Sequence, residues 1–429
     1  MQQCRRNTVL VFAAVLAFTL SLSGSALKNT IQVDFSPIAA DLGSTLGQFA
    51  WSTTTFAVVI AVASPIVGVL ADRFGGAAVL VTGTVLAGVT FLACAAAPGV
   101  GVFAPVYGVF GAFAFTMLSY VPLGKLASEL FAEQGEGLAY AVMTNGPAVG
   151  FVVLVPLWVW LGTFVSWRLV FTAAGTAMLA VLTPLALVLR RLSADTEDEA
   201  VPAEVAVDGD AAGAVSTFRA RLGTVLRDRT FRTLSLAFAG CGVTMAFVDV
   251  HLVTHLDMAG MGATVVSGTL AVLGVFEILG SLVAGRLCDQ GRIKETLVGG
   301  YGLRGVAMVL VAFHPTAATS LLFGVVFGVS YLATVVATTL WIGRTLPAGA
   351  QATALGLVWT LHSIGAALSS QLGAAQSHGS YTQVALIEAL VVLGSLLLAS
   401  RLPGPGNPPA PEGPSAPTRL TVLEPEASE

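Results

Sequence analysis

The chain has 429 residues, of which 55% are hydrophobic and 10% are charged, and its formal net charge is −4. A soluble protein usually carries roughly a quarter charged residues, so this composition excludes an ordinary soluble globular domain. Apolar segments of about twenty residues recur, which is the length that crosses a hydrocarbon core of roughly 30 Å. Because lipid offers no hydrogen-bond partners, these segments must be helices. The four cysteines are scattered and predict neither a disulfide framework nor a metal site.

In chain order, the hydropathy pattern predicts an all-α membrane protein with twelve transmembrane helices. The first apolar run, Val9 to Leu20, follows Arg5 and Arg6 and imitates a secretory signal peptide. The run stays apolar or small up to Leu27 and many spans follow, which favours a retained first span. The helices are expected near residues 9–31, 47–71, 77–97, 100–123, 137–160, 168–189, 233–255, 264–286, 296–313, 317–341, 350–373 and 382–401.

The spans form two sets of six, separated by one long polar insertion. The middle of this insertion, from Asp195 to Asp210, is acidic and rich in alanine and glycine, which is typical of disorder. Its basic end, Arg219–Arg232, is predicted to be a short surface helix that anchors the topology. The predicted units are an N-terminal six-helix bundle (1–190), a partly disordered cytoplasmic linker (191–231), a C-terminal six-helix bundle (232–402) and a disordered proline-rich tail (403–429).

Lysine and arginine fall almost entirely on one side of the membrane when the spans are traced in alternation. Positive charge marks the cytoplasmic face, so we expect both termini inside, in a bacterial-type cytoplasmic membrane. Trp158, Trp160 and Trp167 match an interfacial belt on the outer side. The basic side carries Arg5, Arg6, Arg73, Lys125, Arg190, Arg191, Arg219–Arg232, Arg286, Arg292, Lys294, Arg344 and Arg401.

Two related motifs end long apolar runs at matching positions in the two halves. They are Gly68-Val-Leu-Ala-Asp-Arg-Phe-Gly75 and Gly285-Arg-Leu-Cys-Asp-Gln-Gly-Arg292, which share the spacing G-x-L-x-D. Asp72 can accept hydrogen bonds from donors at a neighbouring helix end, and Arg73 can pair across the loop. Such contacts would gate transport, because they would hold the helix ends together in one conformation and break in the other. Alternatively, Asp72 and Arg73 are a charged pair at the membrane edge that only fixes the topology. The second copy keeps the acid, Asp289, but lacks the arginine after it.

Asn145-Gly146-Pro147-Ala148-Val149-Gly150 lies in the fifth span, where it can kink the helix and allow close packing. With the two halves, the long linker and the Gly68–Gly75 motif, it resembles the major facilitator superfamily, in which this glycine-proline motif is associated with exchangers and exporters. The resemblance implies two pseudo-symmetric six-helix bundles around a central cavity, with transport by alternating access. Further segments resemble the monocarboxylate and oxalate/formate-type carriers of that superfamily: Asp34–Gly43, Leu226–Arg229, Val250–His255 and Gly379–Thr382.

Ionisable residues inside spans cost about 2.5–3.5 kcal/mol on insertion scales, so each is a functional candidate. Lys28, late in the first span, can attract an anionic substrate to a cavity or extend to the outer surface. Glu277, in the middle of the eighth span, can exchange a proton during transport. In the carriers that the chain resembles, an arginine often follows four residues on, but this chain has Ser281. Arg304 in the ninth span can replace that cation or form a structural pair.

Polar and aromatic side chains on three further helices can line a cavity for a small organic molecule or pack between helices. His251 of the seventh span can titrate near physiological pH, and Asp249 lies on another face of that span. Tyr331 belongs to a polar stripe of the tenth span, and Trp359 and His362 share a face of the eleventh. We predict that these residues line the substrate and proton pathway together with the ionisable residues named above.

The sequence contains no nucleotide-binding G-x-x-x-x-G-K-[ST] loop and no hydrolytic constellation, which argues against ATP-driven transport and against an enzyme. We expect a secondary active transporter of a small organic solute, with a monocarboxylate-like anion and proton coupling or exchange favoured. One alternative is a proton-driven efflux pump for drugs or apolar metabolites, and another is a membrane sensor without transport. We expect a monomer surrounded by membrane lipid, with no cofactor, metal or nucleic acid.

Overall fold

The computed structural model describes residues 2–133, 135–199, 223, 225–313, 316–375 and 381–405. Within these residues the regular structure is helical. Twelve helices among them are long and apolar enough to cross a membrane. Numbered span 1 to span 12 in chain order, they comprise Arg6–Ile31, Leu46–Phe74, Gly76–Ala95, Val100–Phe131, Glu136–Leu161, Trp167–Ala194, Arg229–Met258, Ala263–Asp289, Ile293–Ala312, Ala317–Thr345, Ala348–Gly373 and Tyr381–Ser400.

Each of the predicted spans is present, with limits that differ by a few residues at most ends. The largest difference is at the end of span 4, which was expected near residue 123 and lies at Phe131. Hydropathy falls at Lys125, although the helix does not end there. Span 4 is also interrupted, since Ala112–Met117 and Tyr120–Phe131 are separate helices.

Two further departures from regular α-helix lie near Lys28 and Asp249. The helix Gln2–Asp41, which contains span 1, leaves helical geometry at Asp34, with φ −100° and ψ 18°. Pro37 explains the departure, because it has no amide hydrogen and its ring clashes with the carbonyl group four residues earlier. Span 7 contains a π-helical turn, Phe247–His251. Such turns re-aim the side chains that follow them and are frequent at functional sites.

Span 6 continues into the predicted linker. Its last helix, Thr183–Glu199, passes the boundary expected at residue 190. The expected disorder is therefore wrong for residues 195–199, where Glu197 and Glu199 are good helix formers. Residues 200–222 and 224, most of residues 403–429, and Gly379 with Ser380 lie outside the described residues, so the expectations for them stay predictions.

Spans 1–6 pack into one bundle and spans 7–12 into a second, and the two bundles meet through spans 2 with 11 and 5 with 8. Glycines permit the close approach of these helices. A Cβ atom on Gly68 would overlap the backbone of Ala352, and Gly356 approaches span 2 in the same way. Between spans 5 and 8, Gly137 and Gly285 face each other. The bundle interface therefore depends on backbone contacts that larger side chains would separate.

Candidate functional site

A charged helix cap joins the two bundles at the end of the molecule that carries Asp72 and Asp289, here called the motif end. Asp72 accepts hydrogen bonds from the backbone amides of Ala352 (3.0 Å) and Thr353 (2.8 Å) and from the Thr353 hydroxyl (2.7 Å). These are the second and third residues of the helix Gln351–Ala375, whose first-turn amides have no partner in their own helix. The carboxylate also lies at the positive end of the helix dipole.

Asp289 forms the same kind of cap on span 5. It accepts hydrogen bonds from the backbone amides of Gly137 (2.7 Å) and Leu138 (3.0 Å). These are the second and third residues of the helix Glu136–Thr144. The two acids of the repeated motif thus bind helices of opposite bundles in the same register, as a pseudo-two-fold arrangement requires.

Lys125, predicted only to mark the cytoplasmic side, adds another link between the bundles at the motif end. Its ammonium group donates a 2.9 Å hydrogen bond to the carbonyl oxygen of Ala348 in the other bundle. The same group lies 4.0 Å from Asp72 and 3.9 Å from Glu129. Arg73 does not lie across the loop: its guanidinium group lies over the ring of the next residue, 5.1 Å from the centroid. The cation beside Asp72 is therefore Lys125 of span 4.

Aromatic and hydroxyl contacts also join the two bundles beyond the caps. Tyr120 of span 4 stacks on Trp359 of span 11, with ring centroids 4.4 Å apart. Thr339 of span 10 donates a 3.1 Å hydrogen bond to the hydroxyl oxygen of Tyr140 in span 5. Neither tyrosine was singled out in the sequence, because a tyrosine in an apolar run gives no signal beyond its amphipathic character.

Asn145, the first residue of the glycine-proline motif, bonds directly to span 8. Its Nδ2 atom donates a 2.7 Å hydrogen bond to the hydroxyl oxygen of Ser281, and both residues are buried. The Ser281 hydroxyl in turn donates to the carbonyl oxygen of Ile278. The position at which the resembling carriers often have an arginine is therefore part of a neutral contact between the bundles.

The rest of the glycine-proline motif packs span 5 against span 1. A Cβ atom on Gly146 would overlap the backbone of Leu22, and one on Gly150 would overlap the side chain of Ser25. Pro147 lies in the first turn of the helix Gly146–Leu161, where its missing amide hydrogen removes no helical hydrogen bond. The observed contacts of Gly146 and Gly150 are packing contacts.

Lys28 faces the other bundle on the side of the caps away from the motif end. Its Nζ atom lies 3.8 Å from Oδ2 of Asp249 in span 7, and the two side chains are 48% and 46% exposed. The hydroxyl of Tyr331 in span 10 donates a 3.4 Å hydrogen bond to Oδ1 of the same aspartate. Among the ion pairs of the described residues, Lys28–Asp249 is the one that connects the two bundles.

Glu277 of span 8 belongs to the same group of charges. Its side chain is half-buried and interacts electrostatically with Asp249, Lys28 and Arg304. Tyr120 lies within the field of both acids. One ammonium group and two carboxyl groups from three helices thus interact electrostatically with one another or with Tyr120 of span 4.

Arg304 is completely buried and, among the residues that the structure describes, forms hydrogen bonds rather than an ion pair. Its guanidinium nitrogens donate to the Cys241 sulfur (2.7 Å) and to the carbonyl oxygens of Ser330 and Tyr331 (both 2.8 Å). These carbonyl groups lie at the break between the helices Ala317–Tyr331 and Ala333–Thr345, where the carbonyls lack helical partners. Arg304 thus stabilises the break in span 10, and its charge adds to the potential at Glu277.

Asp249 and His251 both lie in the π-helical turn of span 7, and their side chains point in different directions. While Asp249 faces Lys28, the His251 ring packs on Gly373 of span 11 and lies 5.4 Å from the ring of Tyr381 in span 12. The Nε2 atom of His251 is buried and has no hydrogen-bond partner. The structure therefore does not bring His251 next to the Lys28–Asp249 pair.

His362 and Trp359 lie on the aromatic side of the site. The His362 ring is 4.6 Å from Trp359 and 5.1 Å from Phe238, and its Nε2 atom lies 3.2 Å from the Met245 sulfur. Through Trp359, this group continues to the stack on Tyr120. No group of three or more His, Cys, Asp or Glu side chains in the described parts of the chain is arranged to hold a metal ion.

Glu388 of span 12 is a buried acid that the sequence analysis missed. It is completely buried, its Oε1 atom accepts a 2.6 Å hydrogen bond from the Ser369 hydroxyl, and its Oε2 atom has no partner. The signal that singled out Glu277, a carboxyl group in the middle of a predicted span, applies equally to Glu388. Its contact joins spans 11 and 12 within one bundle.

Comparison with known proteins identifies the family of this fold. A family model described as Major Facilitator Superfamily matches residues 9–370 and, in a second match, residues 269–424. The chain belongs to the Major Facilitator Superfamily. It is therefore a membrane transporter and not an enzyme.

Several proteins are similar to this chain over two thirds or more of its length. The uncharacterized MFS-type transporter YcxA of Bacillus subtilis (strain 168) is 25% identical over 395 residues, 90% of this chain and 93% of that protein. A chloramphenicol resistance protein of Streptomyces lividans is 30% identical over 292 residues, 67% of this chain and 69% of that protein. Monocarboxylate transporter 12-B of Danio rerio is 22% identical over 417 residues, 89% of this chain and 84% of that protein.

The fold is similar to that of a solved superfamily member. The proton:xylose symporter XylE, bound to 6-bromo-6-deoxy-D-glucose, superposes with a TM-score of 0.72 at 13% sequence identity, over 93% of this chain and 97% of that chain. The predicted fold class, twelve transmembrane helices in two pseudo-symmetric six-helix bundles, is thereby confirmed.

Proposed function

We propose that this superfamily member is a secondary active transporter of a monocarboxylate-like anion, coupled to a proton or to exchange of another solute. The observation that carries the proposal is the position of Lys28, a cation on a transmembrane helix that faces the other bundle in a half-exposed space. A charged group at this depth is costly unless it has a partner. A substrate carboxylate would supply such a partner through a charge-assisted hydrogen bond.

The contacts between the bundles support alternating access to this position. The motif end is joined by the caps of Asp72 and Asp289 and by Lys125, whereas the Lys28–Asp249 pair is half-exposed. In this proposal, Lys28 is open to solvent from the end away from the motifs. Rocking of the bundles then breaks both caps and opens the motif end. Similarity to monocarboxylate transporter 12-B over most of the chain supports the substrate class.

A substrate panel in proteoliposomes tests the proposal. Labelled lactate, pyruvate, formate and oxalate are offered beside a labelled lipophilic cation, with and without an imposed pH gradient. We expect uptake of at least one anion, its stimulation by the gradient, and loss of uptake in Lys28→Ala. Lys294→Ala, which removes the same charge near the motif end, serves as the control. Transport of the lipophilic cation alone would contradict the proposal.

The second candidate is proton-driven efflux of a drug or apolar metabolite. Two observations favour it: Ser281 stands in a neutral contact with Asn145 in place of an arginine, and the stacked rings of Tyr120 and Trp359 form an aromatic surface beside the charges. Similarity to the chloramphenicol resistance protein agrees with this candidate. The lipophilic cation in the panel distinguishes the two. Binding of a panel compound without flux would instead support a sensor without transport.

The proposal also specifies the orientation of the protein in the membrane and its oligomeric state. The basic residues of the chain concentrate at the motif end, so this end and both termini lie in the cytoplasm. The membrane is a bacterial-type cytoplasmic membrane and the functional unit is a monomer with one small-molecule site. The two bundles move as the domains predicted at 1–190 and 232–402, with the linker and the tail outside them.

A further inference from the structure

Asp249 has a chemical group in common with the proposed substrate. Its carboxylate lies 3.8 Å from the Lys28 ammonium, which is the position that a substrate carboxylate would take. Only one ammonium group is present there, because Arg304 is buried behind the site and its hydrogen bonds go to Cys241 and the break in span 10. A substrate anion and Asp249 therefore compete for the same cation.

We infer that Asp249 is an internal competitor for Lys28, and that a carboxylate substrate displaces it together with the uptake of one proton by Asp249. The inference rests on the proposed function and deepens it, because it assigns the coupling between anion and proton to one residue. No covalent bond changes: a proton from solution binds the Asp249 carboxylate, and the anion takes over the contact with Lys28.

The charges that face Asp249 explain why displacement requires a proton. Lys28 of span 1 is its cation, Tyr331 of span 10 donates a hydrogen bond, and Glu277 of span 8 and Tyr120 of span 4 lie within its field. After the anion has taken Lys28, an ionised Asp249 would stand without a cation beside Glu277 and the substrate. Like charges that share a site repel each other. Protonation of Asp249 removes that repulsion and lets Tyr331 keep its partner.

Lys28 and Asp249 are exposed enough for the substrate anion and the proton to reach them. Both side chains are open to solvent for nearly half of their surface, so the anion and the proton reach them without prior opening of the motif end. Glu277 differs in this respect, because it has no hydrogen bond or ion pair with Lys28 among the described contacts. The geometry therefore gives Asp249, rather than Glu277, the role of the competitor.

The test is the pH dependence of anion affinity in Asp249→Asn. Counterflow of the panel anion with the highest uptake is measured in proteoliposomes with the same pH on both sides, over a range in which the anion stays ionised. If one proton must bind with the anion, the half-saturating concentration in the wild type falls about tenfold for each pH unit downward. In Asp249→Asn the competitor is gone, so the half-saturating concentration is lower and does not change with pH.

Two variants keep the outcome unambiguous. Glu277→Gln retains the competitor and is expected to retain the pH slope. Asp257→Asn makes the same change at an exposed position of span 7 and is expected to behave as the wild type.

A pH slope that persists in Asp249→Asn, or that disappears only in Glu277→Gln, overturns the inference and leaves the proposed function intact. Absence of anion counterflow by the wild type overturns the proposed function and the inference with it. Thermal unfolding in detergent identifies any variant that fails to fold, and Asp249→Ser then repeats the test with a smaller neutral side chain.

Discussion

At the scale of single residues, the serine at position 281 makes a neutral contact where the resembling carriers often have an arginine. An arginine there would add a second cation one helical turn from Glu277, whereas the serine hydroxyl accepts a 2.7 Å hydrogen bond from Asn145 of the other bundle. A buried donor that loses its acceptor costs about 1–3 kcal/mol. The contact therefore stabilises the conformation in which spans 5 and 8 touch, and Lys28 remains as the one exposed cation of the site.

We predict a measurable coupling between Asn145 and Ser281. Asn145→Ala and Ser281→Ala each lower the free energy of unfolding in detergent by about 1–3 kcal/mol. The double variant loses less than the sum by about 1 kcal/mol, because the two side chains share one hydrogen bond. Thr82→Ala, whose hydroxyl is exposed and bonds within its own helix, is the control. Strict additivity would show that the contact contributes nothing to stability.

At the scale of helices, the repeated motif works through the ends of helices in the opposite bundle. Asp72 and Asp289 each bind the second and third amides of a helix, and glycines at the matching positions, Gly68 and Gly285, let the backbones touch. Each acid satisfies amides that would otherwise be unpaired and lies at a helix dipole. Separation of the bundles at this end exposes both acids and both helix ends together.

Asp72→Asn is expected to slow transport without preventing insertion or folding. The amide keeps the shape of the carboxylate but loses its charge and one acceptor oxygen, so the cap on span 11 weakens by about 1–2 kcal/mol. Asp289→Asn is expected to have the smaller effect, because Asp289 accepts two hydrogen bonds and Asp72 accepts three. Initial uptake rates at equal protein content in proteoliposomes provide the measurement. Unchanged rates in both variants would count against a gating role.

A second prediction concerns the backbone contact beside Asp72. In Gly68→Ala, the added methyl group meets the carbonyl oxygen of Ala352, so the motif end cannot close completely. Strain of about 1.4 kcal/mol shifts the conformational equilibrium roughly tenfold toward the open motif end. The rate at which a thiol reagent modifies a cysteine placed at Ser128, in a background without the native cysteines, should rise accordingly. Gly47→Ala makes the same change in the same helix where nothing lies within 4 Å, and should leave that rate unchanged.

At the scale of the whole molecule, the two ends of the bundle interface differ in their chemistry. The motif end is held by backbone amides, two carboxylates and a lysine, whereas at Lys28–Asp249 a single ion pair faces the half-exposed space. Contacts that depend on charge are easily exchanged for water, and the glycines of spans 2, 5, 8 and 11 let the two bundles approach closely. This arrangement suits rocking of two rigid bundles about a central site.

The topology can be checked on the intact protein. We predict that epitope tags at both termini, and a cysteine at the motif end, are protected from membrane-impermeant probes in intact cells and become accessible after permeabilisation. A cysteine at Phe164, in the loop between spans 5 and 6, should be labelled without permeabilisation. Positive charge directs the orientation, so labelling of a terminus in intact cells would reverse the proposed direction of the cavity.

Much of the fold could be predicted because the bilayer acts on each segment separately. Long apolar runs must be helices whatever their neighbours are, so the twelve spans followed from hydropathy. The end of span 4 was misplaced because Lys125 lowers the hydropathy without ending the helix. The helix through residue 199 was missed because acidic composition indicates solubility and does not exclude helix.

The candidate site was only partly predictable, because contacts between helices do not appear in the spacing along one helix. Lys28, Asp249 and Glu277 were each singled out as ionisable residues in or beside spans, but their association depends on three helices from two bundles. His251 was placed in the same pathway, and the π-helical turn of span 7 directs it elsewhere. Arg73 was expected to pair across the loop, but its guanidinium group lies over the Phe74 ring, and Lys125 from another helix lies beside Asp72.

The sequence by itself determined the class of transporter, which is built from a duplicated set of apolar helices with an acid motif at matching positions. These properties follow from each segment's solvation in lipid and from the repeat, and they need no knowledge of packing. Only the tertiary structure decided which charges meet, because the direction of a side chain depends on helix breaks, π-helical turns and the close glycine contacts between bundles. The pairing of Lys28 with Asp249, on which the proposed coupling of anion and proton depends, belongs to that second kind.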